Sequence, residues 1–218
     1  MKSTPVLIRS IATLLALAPF AVRAAQQTIT AAGDPTVNAS IAAVRWPTAA
    51  NWSGPNGATI PTATDNAVIT YAGTAAALID IRASGFAPVG ATTVQDLAFT
   101  GAATGAVTLE NNSTGSSMVL TLNGGRGAAT PILQSGAYAV TIPSVGPGTT
   151  QTLTLLLGAS RSIDVGAGGL TIGATLSQSG TQSITKTGTG RLILSGANSF
   201  TGGTTVSAGV LEATISRL

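Results

Sequence analysis

The chain has 218 residues, with ten Lys and Arg against seven Asp and Glu, and it contains no His or Cys. Only 8% of residues are charged, where a soluble domain carries about 25%, yet 44% are hydrophobic, which excludes disorder through low hydrophobicity. Without His or Cys, no Ser-His-Asp or Cys-His nucleophile, no zinc centre of the usual ligand set and no disulfide can form.

In chain order, residues 1–24 read as a secretory signal peptide. Lys2 and Arg9 give a basic start, residues 11–22 an apolar run, and Val22-Arg23-Ala24 a small-x-small cleavage pattern. The run is too short for the roughly 20 residues of a spanning helix. Removing Lys2, Arg9 and Arg23 leaves seven basic and seven acidic residues. The mature chain then has no basic surface for nucleic acid or anionic lipid. It is expected outside the cell, at the cell surface or in the periplasm, with no transmembrane segment of its own.

Residues 25–66 are rich in turn signals, such as Gly33-Asp34-Pro35 and Ser53-Gly54-Pro55-Asn56-Gly57. They are expected to form an irregular cap with about two early strands, covering the first edge of a sheet. From residue 67 the pattern changes to short β-prone runs bounded by glycine. These are 67–71, 78–81, 92–100, 105–110, 117–122, 137–142, 152–157, 162–165 and 169–172, then 191–194, 204–206 and 210–213. Val107/Leu109, Leu120/Leu122, Val140/Ile142, Leu153/Leu155, Leu170/Ile172 and Leu192/Leu194 alternate with Thr and Ser. That is the period of a strand with one face in and one face out. No helical period follows the signal. Strands this short and dense fit either an antiparallel sandwich or a parallel coil. The spacing of glycine-started strands, from Gly169 to Gly190 and from Gly190 to Gly209, is close to 20 residues and favours the coil. Spacing before residue 165 is irregular.

The closing segment is the most patterned. Lys186, Gly188, Gly190, Leu192, Leu194, Ser195, Gly196, Asn198, Phe200, Gly202, Thr204, Val206, Gly209 and Leu211 recur at fixed offsets within residues 184–213. This order and spacing closely resembles the autotransporter-associated β-strand repeat, also called the passenger-associated transport repeat. The resemblance implies a right-handed parallel β-solenoid (β-helix) over residues 67–218, short and irregular toward the N-terminus. It also implies a role in moving a passenger across the outer membrane and folding it outside. In that reading Gly188, Gly190, Gly196, Gly202, Gly203 and Gly209 shape corners, and Leu192, Leu194, Val206 and Leu211 fill the bore. A membrane barrel needs many alternating segments of about ten residues, and the chain has no room for one. It is expected to be a passenger fragment or a free solenoid, with an open C-terminal edge suited to edge-to-edge self-association.

Chemistry-bearing constellations are sparse. The mature acids Asp34, Asp65, Asp80, Asp96, Glu110, Asp164 and Glu212 lie more than ten residues apart in sequence and are expected as solvated turn carboxylates. A glycosidase would need two facing across a bond. Neither Gly124-Gly125-Arg126-Gly127 nor Gly166-Ala167-Gly168-Gly169 has the Asp of a calcium-binding roll, and no Gly-Lys-Ser/Thr follows for a phosphate loop. The expectation is a non-enzymatic structural or surface protein without metal or cofactor. The rival is an adhesin-like module that stacks extracellular glycans on Trp46, Trp52 and Tyr71. In the preferred reading the aromatics plug the cap and bore instead, and Asn198 bonds turn backbone.

Overall fold

The computed structural model describes residues 25–31, 44–45, 52–53, 65–71, 76–81, 91–111, 115–123, 132–146 and 148–214. The signal segment and Trp46 lie outside them. Every regular element among the described residues is a strand. The chain winds through three sheets in turn. The first coil contributes β1 (Ala25–Ala31) and β2 (Val44–Arg45), and β3 (Trp52–Ser53) folds back on β1. The next contributes β4 (Asp65–Tyr71), β5 (Ala77–Asp80) and β6 (Ala91–Val94). Then come β7 (Leu97–Thr100), β8 (Val107–Glu110) and β9 (Met118–Leu122). The fourth coil is β10 (Ile132–Gln134), β11 (Val140–Ile142) and β12 (Leu153–Leu157). The fifth is β13 (Arg161–Val165), β14 (Leu170–Ile172) and β15 (Thr175–Gln178). Two final coils hold β16 (Ile184–Thr187) with β17 (Arg191–Leu194), and β18 (Thr204–Val206) with β19 (Val210–Ala213).

Each strand pairs with its counterpart one coil away, and every such pairing is parallel. This is a parallel β-solenoid, as the glycine spacing and the repeat led one to expect. An eight-stranded sheet runs β18-β16-β13-β10-β7-β4-β1-β3, a seven-stranded one β19-β17-β14-β11-β8-β5-β2, and a four-stranded one β15-β12-β9-β6. Coil length explains why no clean repeat was visible before residue 165. Ala67 pairs with Leu97 and Ala98 with Leu133, steps of 30 and 35 residues. Arg161 pairs with Ile184 and Ile184 with Thr204, steps of only 23 and 20. The extra residues of the long coils fall between the strands in sequence, where the alternation is interrupted.

The core is a set of aliphatic columns along the axis. Val107, Val140, Leu170 and Leu192 stack in register, as do Leu109, Ile142, Ile172 and Leu194. All eight are fully buried. Each such side chain contributes roughly 1.5–3 kcal/mol by leaving water. Outward positions carry hydroxyl ladders: Thr108 pairs with Thr141, Thr141 with Thr171, and the Thr70 and Thr100 hydroxyls are 3.0 Å apart.

The stretch expected as a cap with about two early strands contains β1, which pairs in parallel with β4 over seven residues, and β3, which runs antiparallel on β1 at Thr28 and Ile29. Two expectations change. The run 92–100 is two strands, broken at a corner by Gln95 and Asp96. The carboxylates of Asp96 and Glu110 are not solvated but buried, at 3% and 1% exposure. Arg161, starting β13, reaches back past a coil to place its guanidinium 3.5 Å from Asp96 and to donate to the Gln95 carbonyl at 3.1 Å. Burial lowers the Arg161 pKa and the Asp96 charge partly restores it.

Tyr71 and Tyr138 meet edge to face, ring centroids 6.3 Å apart, and the Tyr138 hydroxyl donates to the Thr100 carbonyl at 2.8 Å. Burial pushes the Tyr138 phenol from 10.0 up to about 12. Its neutral form is favoured in the folded state. This contribution to stability is full below pH 10 and is lost as pH rises through about 12. Ultraviolet titration should show a phenolate step near that upper value that disappears in Tyr138→Phe. A phenol ionising with the free side chain would refute the buried bond.

Candidate functional site

Residues 184–213 form two coils stacked on each other. β16 alternates Ile184 and Lys186 inward with Thr185 and Thr187 outward. Lys186 is fully buried although it carries a charge. Its ammonium donates to the carbonyls of Thr187, of Gly188 at 2.8 Å and, in the next coil, of Ala208 at 3.2 Å. Burial lowers its pKa, and the Asp164 charge opposes that. The side chain therefore ties the corner of one coil to the corner of the next.

That corner must be tight. Gly188 has φ +70°, a left-handed conformation that side chains rarely adopt, and a β-carbon there would collide with Asp164 and Val165. Gly190 lies against the Gly166 carbonyl, with no space for a methyl group. The Gly190 amide donates to the Val165 carbonyl at 2.8 Å, and the coils close over each other. β17 then drops Leu192 and Leu194 onto Leu170 and Ile172. Above them sit Leu211 and Ala213 of β19. The exposed Arg191 and Glu212 form an ion pair between the same strands.

The third side carries no strand in this coil. Gly196 packs over the Ala174 carbonyl, and the Asn198 side-chain oxygen accepts from the Leu176 amide at 3.2 Å. The Ser199 amide donates to the Leu176 carbonyl at 2.9 Å, and the Thr201 amide to the Gln178 side chain at 2.8 Å. Phe200 is half-buried against the core. Asn198 thus bonds backbone, and with Gln178 it replaces a missing strand.

Not every expected role is filled. Gly202 lies against the Gln182 carbonyl, and Gly209 has φ +70°, but Gly203 faces open space with no left-handed φ, so nothing requires glycine there. Val206 occupies the inward register, opposite Lys186, yet is 49% exposed, and Leu211 is only half-buried. Thr204 is exposed as well. These residues belong to the outermost coil, and no described strand covers them.

Of the three residues considered for glycan stacking, the structure describes the burial of Tyr71 alone. Tyr71 is 1% exposed and meets Tyr138 edge to face, so it offers no ring face to solvent. Trp52 lies in β3, and Trp46 lies outside the described residues. Sequence spacing missed one neighbouring pair of acids. Asp80 and Glu110 stand opposite each other in register on adjacent coils, next to Arg45. Glu110 is buried, so it presents no carboxylate to a substrate in solvent. Among the described residues no group of three or more acids could hold a metal ion.

The Lys186 tie has a measurable weight. In Lys186→Met the aliphatic stem stays but three carbonyls lose a donor. A hydrogen bond to a charged group contributes about 1.5–3 kcal/mol. The opening free energy of β16–β19 amides in hydrogen exchange should fall by about 2 kcal/mol, with β4–β9 unaffected. Unchanged protection in β18 and β19 would show that the ammonium does not join the coils.

Residues 184–213 match the family model of the passenger-associated-transport-repeat. No curated protein and no solved structure matches the chain.

Proposed function

We propose that the chain is an exported, non-enzymatic passenger-like solenoid whose C-terminal repeat is its folding seed outside the cell. One observation carries this reading. A single 30-residue repeat contains two coils that already stack, with β16 on β18 and β17 on β19. The segment brings its own first neighbour. Apart from the short β1–β3 contact, the described strands before it pair only across a whole coil, as in the steps of 30, 35 and 23 residues above. The repeat also has the shortest closure. Growing a loop from about 20 to about 35 residues costs roughly 0.5 kcal/mol more, so the last coils form before the long ones do. Once formed, β16 and β17 offer edges on which β13 and β14 can pair, and the columns extend one layer at a time.

The same arrangement supports export. An unfolded chain passes a narrow channel more readily than a finished solenoid, and a seed that forms only after exit gives the movement direction. The glycan-binding reading loses support because Tyr71 is buried. The test is surface appearance in a host that exports the full precursor. Protease added to intact cells should digest the parent chain. Leu192→Asp, whose seed cannot close, should reach the surface far less and accumulate inside. Equal surface exposure of both would remove the seed from export.

A further inference from the structure

We infer that the buried Asp96–Arg161 pair is a register key, which selects one alignment of the fifth coil on the third out of several that the aliphatic columns would accept. The key acts whichever coil folds first, so it stands apart from the folding seed. Asp96 sits at the corner between β6 and β7, and its carbonyl accepts from the Ala67 amide at 2.9 Å. Arg161 opens β13 at an inward position. Its amide donates to the Ser183 carbonyl of the sixth coil at 2.9 Å, while its guanidinium passes the fourth coil to reach Asp96 and the Gln95 carbonyl. Ala98, Leu133 and Asp164 stand in one column. Counting three residues back from Ala98 and from Asp164 puts Gln95 and Arg161 at the same level, two coils apart.

Packing alone leaves alternatives open here. A shift of one residue turns every side chain to the wrong face, but a shift of two keeps the inward set inward. Backbone bonds do not tell the two alignments apart, because every residue brings the same amide and carbonyl. β10 is three residues long and pairs with β7 at Leu133–Ala98 and Gln134–Phe99. Residues 123–131 separate β9 from β10, enough chain to absorb a shift of two. Further on, residues 166–169 separate β13 from β14, and 188–190 separate β16 from β17. Those short corners fix alignment in the last coils, and the long connection does not.

Other buried polar groups of these coils are less selective. Gln134 donates within its own coil. The Tyr138 hydroxyl needs a carbonyl, which every residue carries. Arg161 needs a carboxylate, and the other buried one among the described residues, Glu110, ends a strand of a different sheet. A buried ion pair adds little net stability, because desolvation offsets the attraction, but a charge buried without its partner is strongly unfavourable. An alignment that separates Asp96 from Arg161 is thereby suppressed more than about a hundredfold, while the matched one is hardly strengthened.

The chain lacks cysteine, so disulfide trapping reads the alignment. Leu133→Cys with Asp164→Cys joins partners in register and should close. Leu133→Cys with Ser162→Cys, or with Thr100→Cys, closes only after a shift of two residues, since diagonal neighbours lie about 7–8 Å apart, beyond disulfide reach. In the parent background neither shifted pair should close. Asp96→Val with Arg161→Met replaces the ion pair by apolar side chains of similar combined volume. Its urea midpoint should stay near the parent's, while at least one shifted pair closes at least about tenfold more than in the parent. Arg161→Met alone leaves Asp96 without that cation and should lower the midpoint. Shifted pairs that stay open in the double variant would show that columns and corners set the alignment unaided. A double variant that unfolds well before the parent, or does not fold, would make the pair a source of stability and not a key. Either result overturns the proposal, as would an Arg161→Met chain as stable as the parent or a Leu133–Asp164 pair that does not close.

Discussion

Leu192→Asp should unfold the last three coils. Leu192 is fully buried, between Leu170 below and Leu211 above. An aspartate there has no described cation beside it. Burying an unpaired charge costs several kcal/mol even after relaxation, and the lost leucine packing adds about 2–5 kcal/mol. A domain of this size has only about 5–15 kcal/mol in hand. The expected result is loss of amide protection across β13 to β19, with β4 to β9 retained, because a stacked array need not unfold as one unit. Leu192→Met keeps the volume and should cost under about 1.5 kcal/mol. If Leu192→Asp melts like the parent, the inward face of β17 has been assigned wrongly.

The second large effect belongs to a smaller change. Gly190→Ala adds one methyl group, which must enter the Gly166 carbonyl. The Gly190 backbone cannot retreat, because its amide is bonded to Val165. The two coils must separate, and the hydrogen bonds of β13 with β16 and of β14 with β17 lengthen together. A cost above about 4 kcal/mol is expected, in the exceptional class for a point substitution. Gly203→Ala is the control. It meets open space and should stay within about 0.5 kcal/mol of the parent. Urea unfolding followed by hydrogen exchange separates the two. Similar losses in both would mean that backbone entropy, not collision, sets the role of these glycines.

The architecture was legible where coils are short and their inward positions aliphatic. From residue 161 the corners hold few residues, so Leu170/Ile172 and Leu192/Leu194 return at nearly constant intervals. β10, β15 and β16 were not seen as strands. In β10 and β16 an inward position holds Gln134 or Lys186, which breaks the apolar alternation. Both are buried because their donors turn to corner carbonyls: Gln134 reaches Gly136 at 3.0 Å and Tyr138 at 2.7 Å. The bounds of β1 within the cap were not legible because Ala25–Ala31 has one large aliphatic residue, Ile29, and its place comes from pairing with β4.

The repeat was legible in its glycines and leucines but not in the role of its lysine. Spacing marks Lys186 as a recurring position. That its ammonium bonds to Ala208, a coil away, depends on the fold and not on the spacing. The Asp96–Arg161 pair was equally hidden, since it joins residues 65 apart in sequence. The neighbouring acids Asp80 and Glu110 needed the register of adjacent coils to be known. Val206 and Leu211 share register with Lys186 and Leu192, but burial also needs a layer above. Tyr71 was placed among candidate ligand contacts because sequence gives no measure of how deep a strand end lies.

On the proposed function, stacking starts in residues 184–213 and proceeds toward the N-terminus. Pulse-labelled hydrogen exchange during refolding from urea tests it directly. Amides of β16 to β19 should become protected first, those of β13 and β14 next, and those of β4 and β5 last. Protection that appears first in β4 to β9, or at one rate throughout, would contradict the account.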